Sequence, residues 1–316
     1  MHYNGQPISD TNGNPIHAHG GWMLDYGGYT YWYGEDRRDN HYVSCYRSSD
    51  MKNWEFRGHI LSTDSPVSHT SGRFDLRLSW QKEPLPEANE NLIVPGGTGK
   101  VNIERPKVLY NELTKKFVLW AHYENGQNYL DARACIATSD TPDGEFTYHG
   151  SFNPFGEMSR DCTVHTDSHG DTYFISASRD NADLHIYRLT EDFLNVDEWV
   201  KSVYCHEFRE APALFEKDGK TYMISSYCTG WAPNQGKWCA ADSVTGRWGL
   251  LHDFGDSTTF RSQSAFIRKQ GDKFWYIGDR WSGQEYFSSS YVALEIQFDG
   301  DGNPYIEYTD EPELFN

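Results

Sequence analysis

Asp161-Cys-Thr-Val-His-Thr-Asp-Ser-His-Gly-Asp-Thr-Tyr-Phe-Ile-Ser176 reads as a strand, a polar turn and a second, aromatic strand. The turn His169-Gly170-Asp171 places a glycine where a hairpin calls for a left-handed residue. The run Thr172–Ser176 is β-branched and aromatic, which suits a pleated, half-buried surface. The same grammar returns at Gly20–Tyr33, Glu104–Trp120, Glu210–Ser225 and Gln263–Ile277. Second strands there read Tyr29-Thr-Tyr-Trp-Tyr33, Lys116-Phe-Val-Leu-Trp120, Thr221-Tyr-Met-Ile-Ser225 and Lys273-Phe-Trp-Tyr-Ile277, with turns such as Asp218-Gly219-Lys220 and Gly271-Asp272. Recurrence at roughly 50-residue intervals, with one longer first interval, is the signature of four-stranded blades in radial array. The fold expected is all-β: one five-bladed β-propeller, a single domain over residues 1–316.

Blade cores are expected near residues 16–58, 104–150, 161–200, 210–250 and 263–300. The turns Ser48–Trp54, Thr138–Gly144 and Ala241–Gly246 follow third strands. A short helix is expected only within Glu191–Val200. Residues 59–102 are rich in Ser, Pro, Gly and Glu, and read as a long loop over one face of the first blade, not as a linker between domains.

Composition agrees. A chain of 316 residues can bury a large core, and its 11 Trp, 21 Tyr and 17 Phe suit sheets. Exposed Trp and Tyr also stack on the apolar faces of sugar rings. The net charge of −18 comes with no basic stretch, which argues against nucleic acid as a partner. No apolar run approaches the ~20 residues of a membrane span. Met1-His2-Tyr3-Asn4-Gly5 lacks the charged and apolar regions of a signal peptide. A native Met1 would make the protein cytoplasmic; a trimmed leader would make it secreted. Cys45, Cys135, Cys162, Cys205, Cys228 and Cys239 sit singly, without metal-ligand spacing, and are expected as free buried thiols.

The register of the repeats carries the chemistry. Counting back twelve residues from Trp32, Lys116, Tyr173, Tyr222 and Trp275 reaches Gly20, Glu104, Asp161, Glu210 and Gln263. Innermost strands of a propeller line a central channel, so equivalent positions converge on one rim. Gathered carboxylates shift one another's pKa, and such a ring points to catalysis or cation binding.

With these residues in view, the chain resembles the glycoside hydrolases of family 43, and within them the exo-β-1,3-galactanase branch. The segments that carry the likeness span nearly the whole chain: Ile16-His-Ala-His-Gly-Gly-Trp22, Tyr31-Trp-Tyr-Gly-Glu35, Asn102-Ile-Glu-Arg-Pro-Lys107, Ser159-Arg-Asp-Cys-Thr-Val164, Arg209-Glu-Ala-Pro-Ala213, Cys228-Thr-Gly-Trp-Ala-Pro-Asn234 and Arg261-Ser-Gln-Ser-Ala265. The resemblance implies release of galactose, with inversion, from the non-reducing end of β-1,3-galactan, the arabinogalactan main chain. It assigns Glu210 as general acid and Asp161 as the aspartate that tunes and orients it. The place of the usual first-blade base is taken by Gly20, a departure the branch shares, and Gln263 is implied as the water-holding residue with Glu104 close by.

Chemistry alone favours Glu104 over Gln263 as base, because a neutral amide is a very poor proton acceptor. Gln263 could place water through its carbonyl oxygen, act as an imidic acid tautomer, or pass the proton to Glu104. Asp25 is a weaker stand-in, since its odd offset from Gly20 points to the opposite face of the strand. Arg105 could fix a carboxylate or a sugar hydroxyl. Glu35, Tyr123, Asn181, Thr229 and Trp231 are expected to border the pocket for the terminal sugar, Trp231 as a platform under the ring. His17, His19, His122 and His165 lie near rim strands but make no convincing ligand set, so no metal site is expected. No cofactor is required; a cation such as calcium in the channel is compatible with the fold but not expected. Two other readings stand beside this one: an α-L-arabinofuranosidase or β-xylosidase on the same fold, and a catalytically silent galactan-binding propeller.

Overall fold

The computed structural model describes residues 2–68, 70, 73, 76–79 and 99–316. Five sheets of four antiparallel strands form a five-bladed β-propeller. Blade one holds β1 (His19–Tyr26), β2 (Tyr29–Glu35), β3 (His41–Ser48) and β4 (Glu55–Ser62); blade two holds β5 (Asn102–Asn111), β6 (Lys116–Glu124), β7 (Arg133–Ser139) and β8 (Thr147–Phe152). Blade three follows with β9 (Cys162–Thr166), β10 (Thr172–Ser178), β11 (Asp183–Leu189) and β12 (Val196–Val203), and blade four with β13 (Arg209–Lys217), β14 (Lys220–Tyr227), β15 (Gly236–Ala241) and β16 (His252–Phe254). Blade five is β17 (Gln263–Gln270), β18 (Lys273–Arg280), β19 (Ser290–Phe298) and β20 (Pro304–Ile306). Each innermost strand packs on the next, β1 on β5, β5 on β9, β9 on β13, β13 on β17, and β17 back on β1.

The aromatic strands explain why blades stack. Trp32 in β2 and Trp120 in β6 are fully buried. Each seam between neighbouring blades is one apolar cluster: Tyr33, Val108 and Leu119 join the first two blades, Trp120 and Phe174 the next pair, and Trp32 and Trp275 the last to the first. A large side chain sealed in such a seam contributes roughly 1.5–3 kcal/mol.

The ring is closed by the N-terminal segment, which lies along blade five. Asn4 donates to the carbonyls of Ala293 (3.0 Å) and Thr309 (2.9 Å) and accepts from the Ala293 amide (2.7 Å). Beyond it, the His2 amide donates to Asn316 Oδ1 (2.7 Å), and Asn316 Nδ2 donates back to the His2 carbonyl (2.9 Å). The two ends of the chain form one clasp.

Three expectations change. The short helix foreseen within residues 191–200 is instead a turn followed by the start of β12, because blade three needs a fourth strand to pair with β11. The loop foreseen over residues 59–102 starts only after Ser62, and Asn102 already belongs to β5; its residues 80–98 lie outside the described residues. All six cysteines are free, but Cys205 is exposed and Cys228 partly so.

Candidate active site

The inner strands share a device that aims their first residues. In β1, β5 and β13 the pairing register slips on the inner strand: His19 to Trp22 oppose Glu35 to Tyr33, Glu104 to Lys107 oppose His122 to Trp120, and Glu210 to Ala213 oppose Ser226 to Ile224. Each bulge adds one residue to the inner strand, and a bulge of this kind re-aims side chains at a rim. The residue that follows the first pair is left-handed in all three blades: Gly20 (φ 56°), Arg105 (φ 52°) and Ala211 (φ 52°). The pairing therefore aligns Glu104 and Glu210 with His19, and Gly20 with Arg105 and Ala211, one residue away from the twelve-residue count. Lys107, fully buried, donates from Nζ to the carbonyls of Gly20 (2.6 Å) and Gly21 (3.0 Å) and so ties the second blade to the first.

The space beside Gly20 is not vacant. A Cβ added there would stand 2.7 Å from Glu35 Oε1 and 3.2 Å from Arg105 Cγ. Glu35, at the end of β2, reaches into this space with its carboxylate, where the Arg105 amide donates to Oε1 (3.0 Å) and Arg37 Nη2 to Oε2 (2.7 Å). A carboxylate is present at this corner of the rim, delivered from one strand farther out.

These residues border a cavity of about 380 Å³ to which all five blades contribute. Glu210 stands on its wall with Oε1 accepting from Gln263 Nε2 (2.8 Å) and Oε2 from Asn181 Nδ2 (3.4 Å). Burial, and then the negative charge of Asp161, push the Glu210 carboxyl up to about 7. Such a group carries a proton at near-neutral pH and can donate it. Asp161, just ahead of β9, is anchored by Arg105 Nε (2.8 Å).

Gln263 is bonded at every position its amide offers. Its Oε1 accepts from Arg105 Nη2 (2.6 Å) and Trp281 Nε1 (2.8 Å), while its Nε2 donates to Glu210 and to Ser226 Oγ (2.9 Å). An oxygen facing two donors keeps the ordinary amide form and disfavours an O–H tautomer.

Glu104 faces the same cavity. Arg37 Nη2 (3.0 Å) and the Tyr129 hydroxyl (2.6 Å) donate to Oε1, and His122 Nδ1 lies 3.2 Å from Oε2. Burial pulls this carboxyl upward, but Arg37, His122 and Tyr129 outweigh it and hold it well below the usual carboxylate range. It is an anion throughout the neutral range.

Of the other expected residues, Glu35, Arg105, Asn181 and Trp231 line the cavity. Tyr123 does not. Strand alternation turns His122 and Glu124 toward the site and buries Tyr123 in the seam between blades one and two. Thr229 is spent on its own loop, donating to the Ala232 carbonyl (2.6 Å) and accepting from Asn234 Nδ2 (2.7 Å). Asp25 sits toward the opposite end of β1, paired with Arg268 (2.8 Å). His165 pairs with Glu216 (3.5 Å) away from the cavity, and His19 is held by Asp279 (3.0 Å). Among the described residues no three His, Cys, Asp or Glu side chains are grouped to hold a metal ion.

Sequence reading missed Arg37, Tyr129, Trp281 and Tyr286. Arg37 bridges Glu35 and Glu104, with its guanidinium 4.7 Å over the Tyr286 ring. Trp231 stands edge-on to Trp281 (5.6 Å between centroids), so two indoles and a tyrosine wall one side. The one signal for Arg37 was its place two residues past Glu35.

A carboxyl raised to about 7 and a second one held ionised, lining one cavity beside a cluster of aromatic rings at the rim of a propeller, are the parts a glycoside hydrolase uses. The family model for the glycosyl hydrolases of family 43 matches residues 111–252. Among solved structures, an exo-β-1,3-galactanase from Clostridium thermocellum is 42% identical with a TM-score of 0.83, over 97% of this chain and 65% of that one. A family 43 β-1,3-galactosidase with galactodeoxynojirimycin is 31% identical (TM-score 0.84) over 98% of this chain and 99% of that one. An exo-β-1,3-galactanase from Phanerochaete chrysosporium, a point variant holding β-1,3-galactotriose, is 33% identical (TM-score 0.82) over 98% and 67%. No curated protein matches. The chain belongs to glycosyl hydrolase family 43, and it spans about two thirds of the length of the Clostridium enzyme.

Proposed function

We propose that the chain is an exo-acting β-1,3-galactosidase that releases galactose from the non-reducing end of β-1,3-galactan with inversion. The observation that carries this reading is the corner at Gly20, where Glu35 fills the space of a first-blade carboxylate in the same cavity as Glu210, whose carboxyl is raised to about 7. The similarity to galactanases, one of them holding β-1,3-galactotriose, supports the substrate class.

In this mechanism Glu210 gives its proton to the leaving oxygen, and Asp161 keeps that proton on Glu210 until it is needed. Gln263 holds Glu210 in orientation through its N–H group. Water attacks from the opposite face of the sugar and loses its proton to Glu104, since the Gln263 amide is already fully bonded within the protein and lies against Glu210. A carboxylate bonded as heavily as Glu104 is a weak base. That suffices, because the transition state is oxocarbenium-like and water becomes strongly acidic only as its bond to the anomeric carbon forms. An inverting site needs roughly 6.5–9.5 Å between its two carboxyl groups to seat that water. No cofactor enters these steps.

The test is turnover of β-1,3-, β-1,4- and β-1,6-linked galactobiose, followed by NMR of the first anomer. α-Galactose appearing first from the β-1,3-linked disaccharide is the expected result. Turnover of arabinosides or xylosides alone overturns the reading. E210Q separates an enzyme from a silent binder: binding persists in both, whereas the enzyme loses turnover.

A further inference from the structure

Glu104 does not act alone. Its partner across the hairpin is His122 of β6, whose side chain is 2% exposed. His122 Nδ1 lies 3.2 Å from Glu104 Oε2, an ionic contact too oblique for a linear hydrogen bond, and Nε2 lies 2.9 Å from Glu124 Oε1. Glu124, wholly buried, is pinned in turn: the amides of Asp131 and Ala132 both donate to its Oε2 at 3.0 Å, and Arg160 Nε stands 3.9 Å from Oε1. Tyr129 flanks the imidazole, ring centres 6.0 Å apart, and Arg37 lies beyond Glu104. Burial opposes a charge on the ring, but Glu104 and Glu124 outweigh it and raise His122 to about 9.

A buried acid–imidazole–acid string is a poor way to stabilise a fold, since apolar side chains in its place are often neutral or better. What it does supply is orientation. Arg37 and Tyr129 both hold Oε1 of Glu104; the terminal torsion of a carboxylate is soft, so two contacts on one oxygen only lightly oppose a turn about the last bond. His122 is the contact to Oε2 that stops the turn.

We propose that His122, anchored by Glu124, is a positioning residue that fixes the face Glu104 presents to the attacking water. The inference rests on Glu104 as the proton acceptor.

The experiment compares H122Q and E124Q with wild type on β-1,3-galactobiose across pH, with circular dichroism to verify the fold. H122Q is expected to lose about 100-fold in kcat, the cost of roughly 1 Å of misplacement, with little change in KM. Its acid limb should move to higher pH, because Glu104 loses a neighbouring cation and must still be ionised to work. E124Q should fall in the same direction by about 10-fold. Imidazole ¹⁵N shifts, with His122 identified by its loss in H122Q, are expected to show a cation at pH 7.5. An H122Q enzyme within twofold of wild type, an unmoved acid limb, or a neutral His122 at pH 7.5 overturns the proposal. If the wild type turns over no β-1,3-galactoside, the functional reading falls while the NMR result still decides the clamp. If H122Q does not fold, E124Q and the wild-type spectrum decide it.

Discussion

Replacing Gly20 by aspartate restores the residue type that the family resemblance assigns to this place, and the structure says it will not restore a base. The new Cβ would meet Glu35 Oε1 at 2.7 Å, and Glu35 cannot step aside because Arg37 and the Arg105 amide hold it. The left-handed backbone adds about 1–2 kcal/mol for a residue with a side chain. Arg105 and Ala211 already bear that cost at equivalent positions, so it is tolerable by itself. A second carboxylate against Glu35 adds about one to three pKa units of repulsion, ~1.4–4 kcal/mol. Together these come to roughly 2.5–6 kcal/mol, or a fall in Tm of about 4–9 °C for a chain of this size. Scanning fluorimetry measures the fall, and the same sample should turn over β-1,3-galactobiose at least ~100-fold more slowly. G20D combined with E35Q should recover part of the stability, since the repulsion is gone. A G20D protein that melts within ~1 °C of wild type and keeps its activity would refute the placement of Glu35.

Three more substitutions test the same geometry. D161N removes the negative charge beside Glu210, so its pKa should fall and the alkaline limb of kcat/KM should move from about 7 to lower pH, readable from a pH profile. E210Q should lower kcat by ~10³-fold or more, less so with an aryl galactoside whose leaving group needs no proton. Because the folded-state pKa of Glu210 is raised from 4.5 to about 7, its penalty is absent at pH 4, grows between those two values and is constant above them; E210Q should therefore be more stable than wild type at pH 8, by ~1–3 kcal/mol, and not at pH 4. Denaturant melts at the two pH values check the sign. W231A should raise KM about tenfold, the loss of ~1–1.5 kcal/mol of ring stacking, and leave kcat nearly unchanged.

The propeller was legible because its repeats are local: a hairpin turn, an aromatic strand and a fixed interval recur five times. Glu104, Asp161, Glu210 and Gln263 were legible for the same reason, since all four stand within the first three residues of an inner strand or just before it. The twelve-residue count slipped at Gly20 because its anchors are not equivalent: Trp32 pairs with Met23, Tyr222 with Phe215 and Lys116 with Asn111, each at a different depth in its hairpin, which a linear count cannot see. Tyr123 was misplaced by one position of strand alternation, and Thr229 by the needs of its own loop. Arg37, Tyr129, Trp281 and Tyr286 were invisible for a different reason. They lie in connections between strands, and what draws them to the rim is a partner in another blade: Arg37 bridges two carboxylates from blades one and two, and Tyr286 comes from blade five to stack on it.

The clasp between His2 and Asn316 bears on how activity is acquired during folding. Each blade can form its own hairpins early, because these pairings are close in the sequence. The cavity is different: Glu35, Glu104, Asp161, Glu210 and Gln263 come from five separate blades, and the contact from Arg105 of blade two to Gln263 of blade five forms only when the ring is complete. On refolding, β-sheet signal should therefore return first and hydrolysis only when the two ends lock together. Turnover in this protein is a direct readout of ring closure.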